Sequence, residues 1–200
     1  MRCKIIFLAI FFASKTVCSQ EQNLTILPYK KNIKENILDG DIFAESKVNS
    51  FNLNKSQSLH FSIAGLHPKS CSYALKTLSL YEEYSRYLSF IEASSYNVAK
   101  KEINFTISYI LLPYDISLIF TLPRIVTPGN YPFIFKDGIL KNLHGNIVVL
   151  DTGGKCLFYS TADWTGVHSG INNTILQIFS QVLTKMAMEK LFRVSTTLKH

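Results

Sequence analysis

Between residues 103 and 164 the chain repeats one pattern, short stretches of alternating apolar and polar residues, each stopped by a turn signal. Ile103, Phe105, Ile107, Tyr109 and Leu111 alternate up to Pro113, and Ile116, Leu118, Phe120 and Leu122 alternate up to Pro123. Alternation sends successive side chains to opposite faces, the period of a half-buried strand. Further runs cover 131–140, 146–150 and 156–164, separated by Pro128-Gly129-Asn130, Asp137-Gly138, His144-Gly145-Asn146 and Asp151-Thr152-Gly153-Gly154. Connections this short join antiparallel neighbours, because parallel strands need a crossover of a dozen or more residues. The chain is thereby confined to an antiparallel meander.

Elements on either side of the meander limit the fold further. Leu59, Phe61 and Ile63 alternate with Ser58, His60 and Ser62 as an earlier strand, which Gly65-Leu66-His67-Pro68 ends. Pro68 can open a helix, since its missing N–H would be unpaired there anyway. Cys71, Ala74, Leu75, Leu78 and Tyr81 follow helical spacing, and a second short helical stretch holds Tyr84, Tyr87, Leu88 and Ile91. Ile171, Ile175, Ile178, Phe179, Val182, Met186 and Leu191 predict one amphipathic helix over 170–196, capped by Ser169 or Asn172. It would span about 40 Å, long enough to cross a curved sheet. Its cations are few (Lys185, Lys190, Arg193 and Lys199), which favours packing on the chain's own sheet over lying on a membrane.

Residues 1–19 read as a secretory signal peptide. Arg2 and Lys4 precede the apolar run Ile5 to Ala13, and Val17-Cys18-Ser19 supplies a cleavage site before Gln20. Val17 before Cys18, with Lys15 where a Leu is expected, argues against lipidation of Cys18. Removing Arg2, Lys4 and Lys15 with the leader takes the formal charge from +7 to +4. The remaining cations are scattered, with Lys30-Lys31 and Lys100-Lys101 the adjacent pairs, so no basic stripe points to nucleic acid. The expected location is exported, periplasmic or secreted, with a bacterial envelope preferred over a eukaryotic pathway despite sequons at Asn23, Asn54, Asn104 and Asn172. After cleavage Cys71 and Cys156 remain; they form either one bridge, the preferred reading, or two separate buried thiols. Residues 20–56 are polar and mixed, and read as an N-terminal arm or linker with a short strand at 37–44.

Catalytic signatures are missing from the sequence. His60, His67, His144, His168 and His200 show no metal-ligand spacing, and neither a nucleophile elbow nor a phosphate loop occurs. Ser160, Asp163 and His168 could be drawn as a triad, but nearness in sequence supplies none of the required geometry. Arg124, between the apolar run ending at Leu122 and Ile125-Val126, could hold an acidic ligand group at a cavity mouth or sit at a solvated strand end. No catalytic residue, metal or cofactor is assigned.

The order strand, two short helices, antiparallel strands and long terminal helix resembles the START-like (SRPBCC) superfamily. The nearest branch is that of polyketide cyclases and coenzyme-Q-binding proteins. The segment Leu78-Ser79-Leu80-Tyr81-Glu82-Glu83-Tyr84-Ser85-Arg86-Tyr87-Leu88-Ser89-Phe90-Ile91 is similar to the family's helix leading through an aromatic-rich turn into the next strand. Asp151-Thr152-Gly153-Gly154-Lys155-Cys156-Leu157-Phe158-Tyr159 is similar to its late Gly-Gly hairpin. The resemblance covers residues 57–195 and implies an α+β helix-grip fold, a curved antiparallel sheet wrapped around the long C-terminal helix. The organisation is then leader 1–19, arm 20–56 and START-like domain 57–200. The resemblance further implies an apolar cavity for a lipid, isoprenoid or polyketide-like molecule, lined by Phe105, Tyr109, Phe120, Phe133, Phe158 and Trp164 from the sheet. Phe179, Val182 and Met186 would contribute from the helix, with Arg124 at the mouth. The expected partner is a hydrophobic small molecule or lipid, bound by a monomer, with transient membrane contact as a further expectation. A cyclase- or dehydratase-type enzyme on the same fold, or an envelope interaction module, are the competing expectations.

Overall fold

A computed structural model describes residues 24–110, 112 and 114–198; the leader at 1–19 lies outside the described residues. Helix α1 (Lys31–Leu38) precedes strands β1 (Phe43–Phe51) and β2 (Ser56–His67). Helix α2 (Cys71–Leu78), a 3-10 turn (Tyr81–Glu83) and helix α3 (Tyr84–Tyr87) lead into β3 (Ile91–Asn97), β4 (Glu102–Ile107) and β5 (Ile116–Thr121). Strands β6 (Gly129–Asp137), β7 (His144–Asp151) and β8 (Cys156–Val167) complete the sheet. The C-terminal helix then runs as α4 (Asn173–Ile178), one π turn (Phe179–Leu183) and α5 (Thr184–Thr197). The eight strands form one antiparallel sheet in the order β1-β2-β8-β7-β6-β5-β4-β3, the meander followed by a hairpin added to its last strand.

Alternation assigns the two faces. Along β2, Leu59, Phe61 and Ile63 point to the concave side under the C-terminal helix, Leu59 and Phe61 in the main core and Ile63 in a small cluster with Ile42 and Ala44. On the convex side Ala64 and Leu66 meet Leu157 and a second cluster supplied by Leu24, Leu27, Tyr29 and Ile37. This differs from the arm expected at 20–56. Residues 31–38 are helical, the strand begins at Phe43 rather than at Ile37, and β1 pairs with β2 from Phe43–Ala64 to Phe51–Ser56. Lys and Asn between the apolar residues hide the pattern, yet Leu27 and Ile37 are almost completely buried. Tyr29 holds the segment down through a hydrogen bond with Ser62 and an edge contact with Phe43 at 4.6 Å; burial pushes its hydroxyl up to about 12.

The C-terminal helix is fastened at both ends to β2. At its start the buried Gln57 side chain donates to the Ile171 carbonyl (3.0 Å) and to Asn173 Oδ1 (2.7 Å), while its oxygen accepts from Ser169 Oγ (2.6 Å). Asn172 caps the helix by accepting from the Thr174 N–H at 2.9 Å. Near its end, His67 Nδ1 accepts from the Lys69 N–H (3.1 Å), which leaves Nε2–H to donate to Ser195 Oγ at 2.8 Å. Ser195 Oγ in turn donates to the Phe192 carbonyl at 3.0 Å. Between these points a Cβ on Gly65 would stand 2.9 Å from Met188 Sδ and 3.2 Å from Phe192 Cε2, so glycine lets the helix seat directly on the strand. A Cys71–Cys156 disulfide joins the first residue of α2 to the first of β8.

Two stability measurements follow from these tethers. The bridge closes a loop of 85 residues, and chemical denaturation of a Cys71→Ala/Cys156→Ala variant should show a loss of about 2–5 kcal/mol. An unchanged midpoint would mean that the bridge adds nothing. Burial, the largest influence on His67, holds its pKa below the ordinary value. Above about pH 6.5 the ring is neutral in native and unfolded chains alike, and its contribution is complete. As pH falls below that value the unfolded chain takes up a proton that the native ring resists, so stability drops. Melting curves between pH 7.5 and 5 should show this fall in the wild type and a shallower one in His67→Gln; equal slopes would remove His67 as its source.

Candidate functional site

The concave face and the C-terminal helix do not fill the space between them. One compartment of about 260 Å³ lies beside Tyr81, Ile125, Phe158, Met188 and Phe192. A second of about 270 Å³ lies beside Phe90, Phe105, Phe133, Leu140 and Phe179. Phe61, Tyr84, Thr184, Ala187 and Leu191 line both, so five side chains form the partition of one apolar interior. A smaller recess of about 60 Å³ between Tyr109 and the helix residues Ile175, Ile178 and Val182 shares Phe179 and Leu183 with the second compartment.

The Tyr81, Tyr84 and Thr184 hydroxyls at this interior are already committed. The Tyr84 hydroxyl donates to the Leu78 carbonyl at 2.7 Å. The Tyr81 hydroxyl donates to the Pro123 carbonyl (3.1 Å) and accepts from the Ile125 N–H (3.0 Å). Burial pushes both phenols well above their ordinary value. Thr184 Oγ1 donates to the Ser180 carbonyl of its own helix. A cavity walled this way removes apolar surface from water and offers a ligand few groups to exchange protons with.

The residues expected at the site separate into groups. Phe105, Phe133 and Phe179 line the second compartment and Phe158 the first, while Tyr109 and Val182 line only the small recess. Phe120 lies behind the wall, stacked on Phe135 at 4.8 Å and edge-on to Phe105 at 5.6 Å. Trp164 is a structural post, its indole N–H donating to the Lys141 carbonyl at 3.0 Å. Arg124 is not at a mouth. It donates to both Glu82 oxygens (2.8 and 3.0 Å) and to the Ser79 carbonyl (2.6 Å), and lies over Tyr96 at 4.5 Å. Burial alone would raise the Glu82 carboxyl, but the hydrogen bonds and charge of Arg124 outweigh it and hold it below the ordinary value. A charge so placed locks the β5–β6 connection onto the α2–α3 turn.

Met186 is 44% exposed and lines neither compartment. The π turn is the reason. An α-helix advances about 100° per residue, and the extra residue in a π turn rotates everything after it by about that much. Straight continuation from Phe179 would have carried Val182 and Met186 inward; instead Leu183, Ala187 and Leu191 face the sheet. The turn is held in place by β1, where Ser46 meets Ser180 Oγ at 2.6 Å and the Ala44 carbonyl accepts from Gln181 Nε2 at 2.9 Å.

Sequence reasoning also missed Tyr81 and Tyr84 as lining residues, although their Tyr-x-x-Tyr spacing puts both on one helical face. The imagined Ser160, Asp163 and His168 set is not assembled. Ser160 shares the inward alternation of Phe158, whereas Asp163 is exposed and bonded to His60 Nδ1 at 2.7 Å, and His168 Nδ1 accepts from the Gly170 N–H.

No protein-family model and no curated protein matches the sequence. Solved structures do match the fold. The Zhui aromatase/cyclase from Streptomyces sp. R1128 aligns with a TM-score of 0.58 at 6% identity, covering 70% of this chain and 94% of that one. A conserved protein from Geobacillus kaustophilus gives 0.57 at 11% identity, covering 70% and 97%. Ara h 8.0201 gives 0.54 at 10% identity, covering 70% and 99%. At such identities the likeness speaks for architecture alone, and that architecture is the helix-grip fold, a curved antiparallel sheet around a long C-terminal helix.

Proposed function

We propose that this chain is an exported, non-catalytic carrier or binder of a hydrophobic small molecule, held as a monomer's ligand between the concave sheet and the C-terminal helix. The observation that carries the reading is the twin-compartment cavity, in which the Tyr81 and Tyr84 hydroxyls are tied to backbone and whose walls are otherwise almost entirely hydrocarbon. Each compartment is below the roughly 300–1,000 Å³ of drug-sized sites, which favours a single chain or a compact ring system over a two-chain lipid.

Export is supported by the leader pattern and agrees with the Cys71–Cys156 bridge, since disulfides persist in oxidising compartments. Among the described residues no helix is long and apolar enough to cross a membrane. Leu53, Ile110 and Val167 are strongly exposed and lie at the sheet end where the C-terminal helix begins, the place for transient contact with a membrane during loading.

Native mass spectrometry of the exported protein, followed by extraction, should release an apolar molecule. Re-adding it at a hundred times its Kd should stabilise the protein by about 2.7 kcal/mol, roughly 5–10 °C in Tm. Ala187→Phe, which fills the partition, should abolish that shift, and Met186→Asp on the solvent side should leave it. A clean apo mass with no shift from any lipid extract overturns the reading.

A further inference from the structure

At the sheet end opposite the start of the C-terminal helix, a groove of about 470 Å³ opens beside the apolar interior. Asp39 and Asp41 face it from the α1–β1 turn, Lys155 from the β7–β8 turn, and Glu189 and Arg193 from α5. Phe192 belongs to both spaces, lining the groove and the first compartment. Its ring, beside Gly65 and edge-on to His67 at 5.0 Å, stands with Ile42 and Met188 between a charged groove and a hydrocarbon cavity.

The two turns that carry Asp39, Asp41 and Lys155 are braced by backbone hydrogen bonds and, beside Lys155, by the disulfide. The Asp39 N–H bonds the Glu35 carbonyl at 3.0 Å, the Gly40 N–H the Ile37 carbonyl at 3.1 Å and the Asp41 N–H the Asn36 carbonyl at 2.9 Å, with Gly40 at a φ of +102°. The Lys155 carbonyl accepts from the Thr152 N–H at 3.0 Å, and the next residue is the bridged Cys156. Opposite charges nevertheless stand apart. Among the described residues no ion pair within 4.0 Å joins Asp39 or Asp41 to Lys155 or Arg193, and Glu189 is paired at 3.9 Å with Lys185 of its own helix.

Charges of both signs facing one groove without closing on each other suit a ligand group that carries both signs. An anion alone would be repelled by the two aspartates, and a cation alone by Lys155 and Arg193. We propose that the groove is the head-group site of a zwitterionic, single-chain amphiphile whose hydrocarbon chain passes Phe192 into the cavity. The inference deepens the carrier reading and rests on it.

Calorimetric titration of the full protein with lysophosphatidylcholine, with the monoacylglycerol of the same chain and with phosphocholine separates the two ideas. We expect lysophosphatidylcholine to bind about tenfold more tightly than the uncharged monoacylglycerol, and phosphocholine alone to bind far more weakly than either. In Asp41→Asn/Arg193→Gln, with its Tm checked to confirm folding, the preference for lysophosphatidylcholine should vanish. Equal affinities in the wild type, or a preference that survives the double substitution, overturns the head-group site and leaves the cavity reading standing. Failure of both chain-bearing probes to bind overturns the amphiphile, while the carrier reading stands or falls on the mass measurement and the lipid-extract shift. Phosphocholine binding as tightly as lysophosphatidylcholine would make the groove a site for a free zwitterion and refute the amphiphile.

Discussion

The rest of the molecule depends on how the C-terminal helix is pinned to one strand. Gln57 and His67, ten residues apart on β2, fasten Asn173 and Ser195, twenty-two residues apart on the helix. At about 3.3 Å per strand residue and 1.5 Å per helical residue, both spans come to roughly 33 Å. The lengths match, so the helix lies along the strand with its ends fixed. Gly65 sets its height near the C-terminal end, where Met188 and Phe192 descend onto the strand. Over the middle and towards β5 and β6, the sheet curves away from a straight rod. The residues facing it there include the small Ser180, Thr184 and Ala187, and the apolar space follows.

That space is expensive to keep empty, since each unfilled methyl-sized void costs about 1 kcal/mol in a protein core. The aromatic wall limits the cost. Tyr84 stacks on Phe105 at 5.7 Å, and Phe120, which lies behind the wall, meets Phe105 and stacks on Phe135, so three lining rings are braced against one another and from behind. The Arg124–Glu82 pair and the Tyr81 hydroxyl tie the same wall to the β5–β6 connection. A wall supported in this way holds its shape without a filler, and a ligand then gains the apolar contacts at little cost in reorganisation.

The sequence made the architecture readable wherever a period of two or 3.6 runs unbroken. Strands β4 to β8 and the span of the C-terminal helix are visible in the alternation of residues such as Ile103, Phe105 and Ile107, and in the stripe from Ile171 to Leu191. The N-terminal segment escaped because Leu24, Leu27, Ile33 and Ile37 are diluted by lysines and asparagines. A counter-signal stood elsewhere: Ile63-Ala64-Gly65-Leu66 abandons alternation, and a strand apolar on both faces needs cover on both. Leu157 between Cys156 and Phe158 says the same of β8.

The site was less legible than the fold because its geometry depends on breaks in periodicity. Nothing in Phe179-Ser180-Gln181-Val182-Leu183 announces a π turn, yet that turn decides which side of the helix faces the sheet. Its cause is tertiary: Ser46 and the Ala44 carbonyl on edge strand β1 reach exactly one turn of the helix through Ser180 and Gln181. The same tie makes the turn the natural place for the helix to yield. Phe179 and Leu183 line both the recess beside Tyr109 and the second compartment, so reverting the π turn to α geometry would rotate α5 relative to the sheet. The anchors at Gln57 and His67 resist that rotation at the two ends. The cavity's shape is therefore set by a contest between regular helix geometry and four polar tethers, two to β1 and two to β2, rather than by the apolar residues that line it.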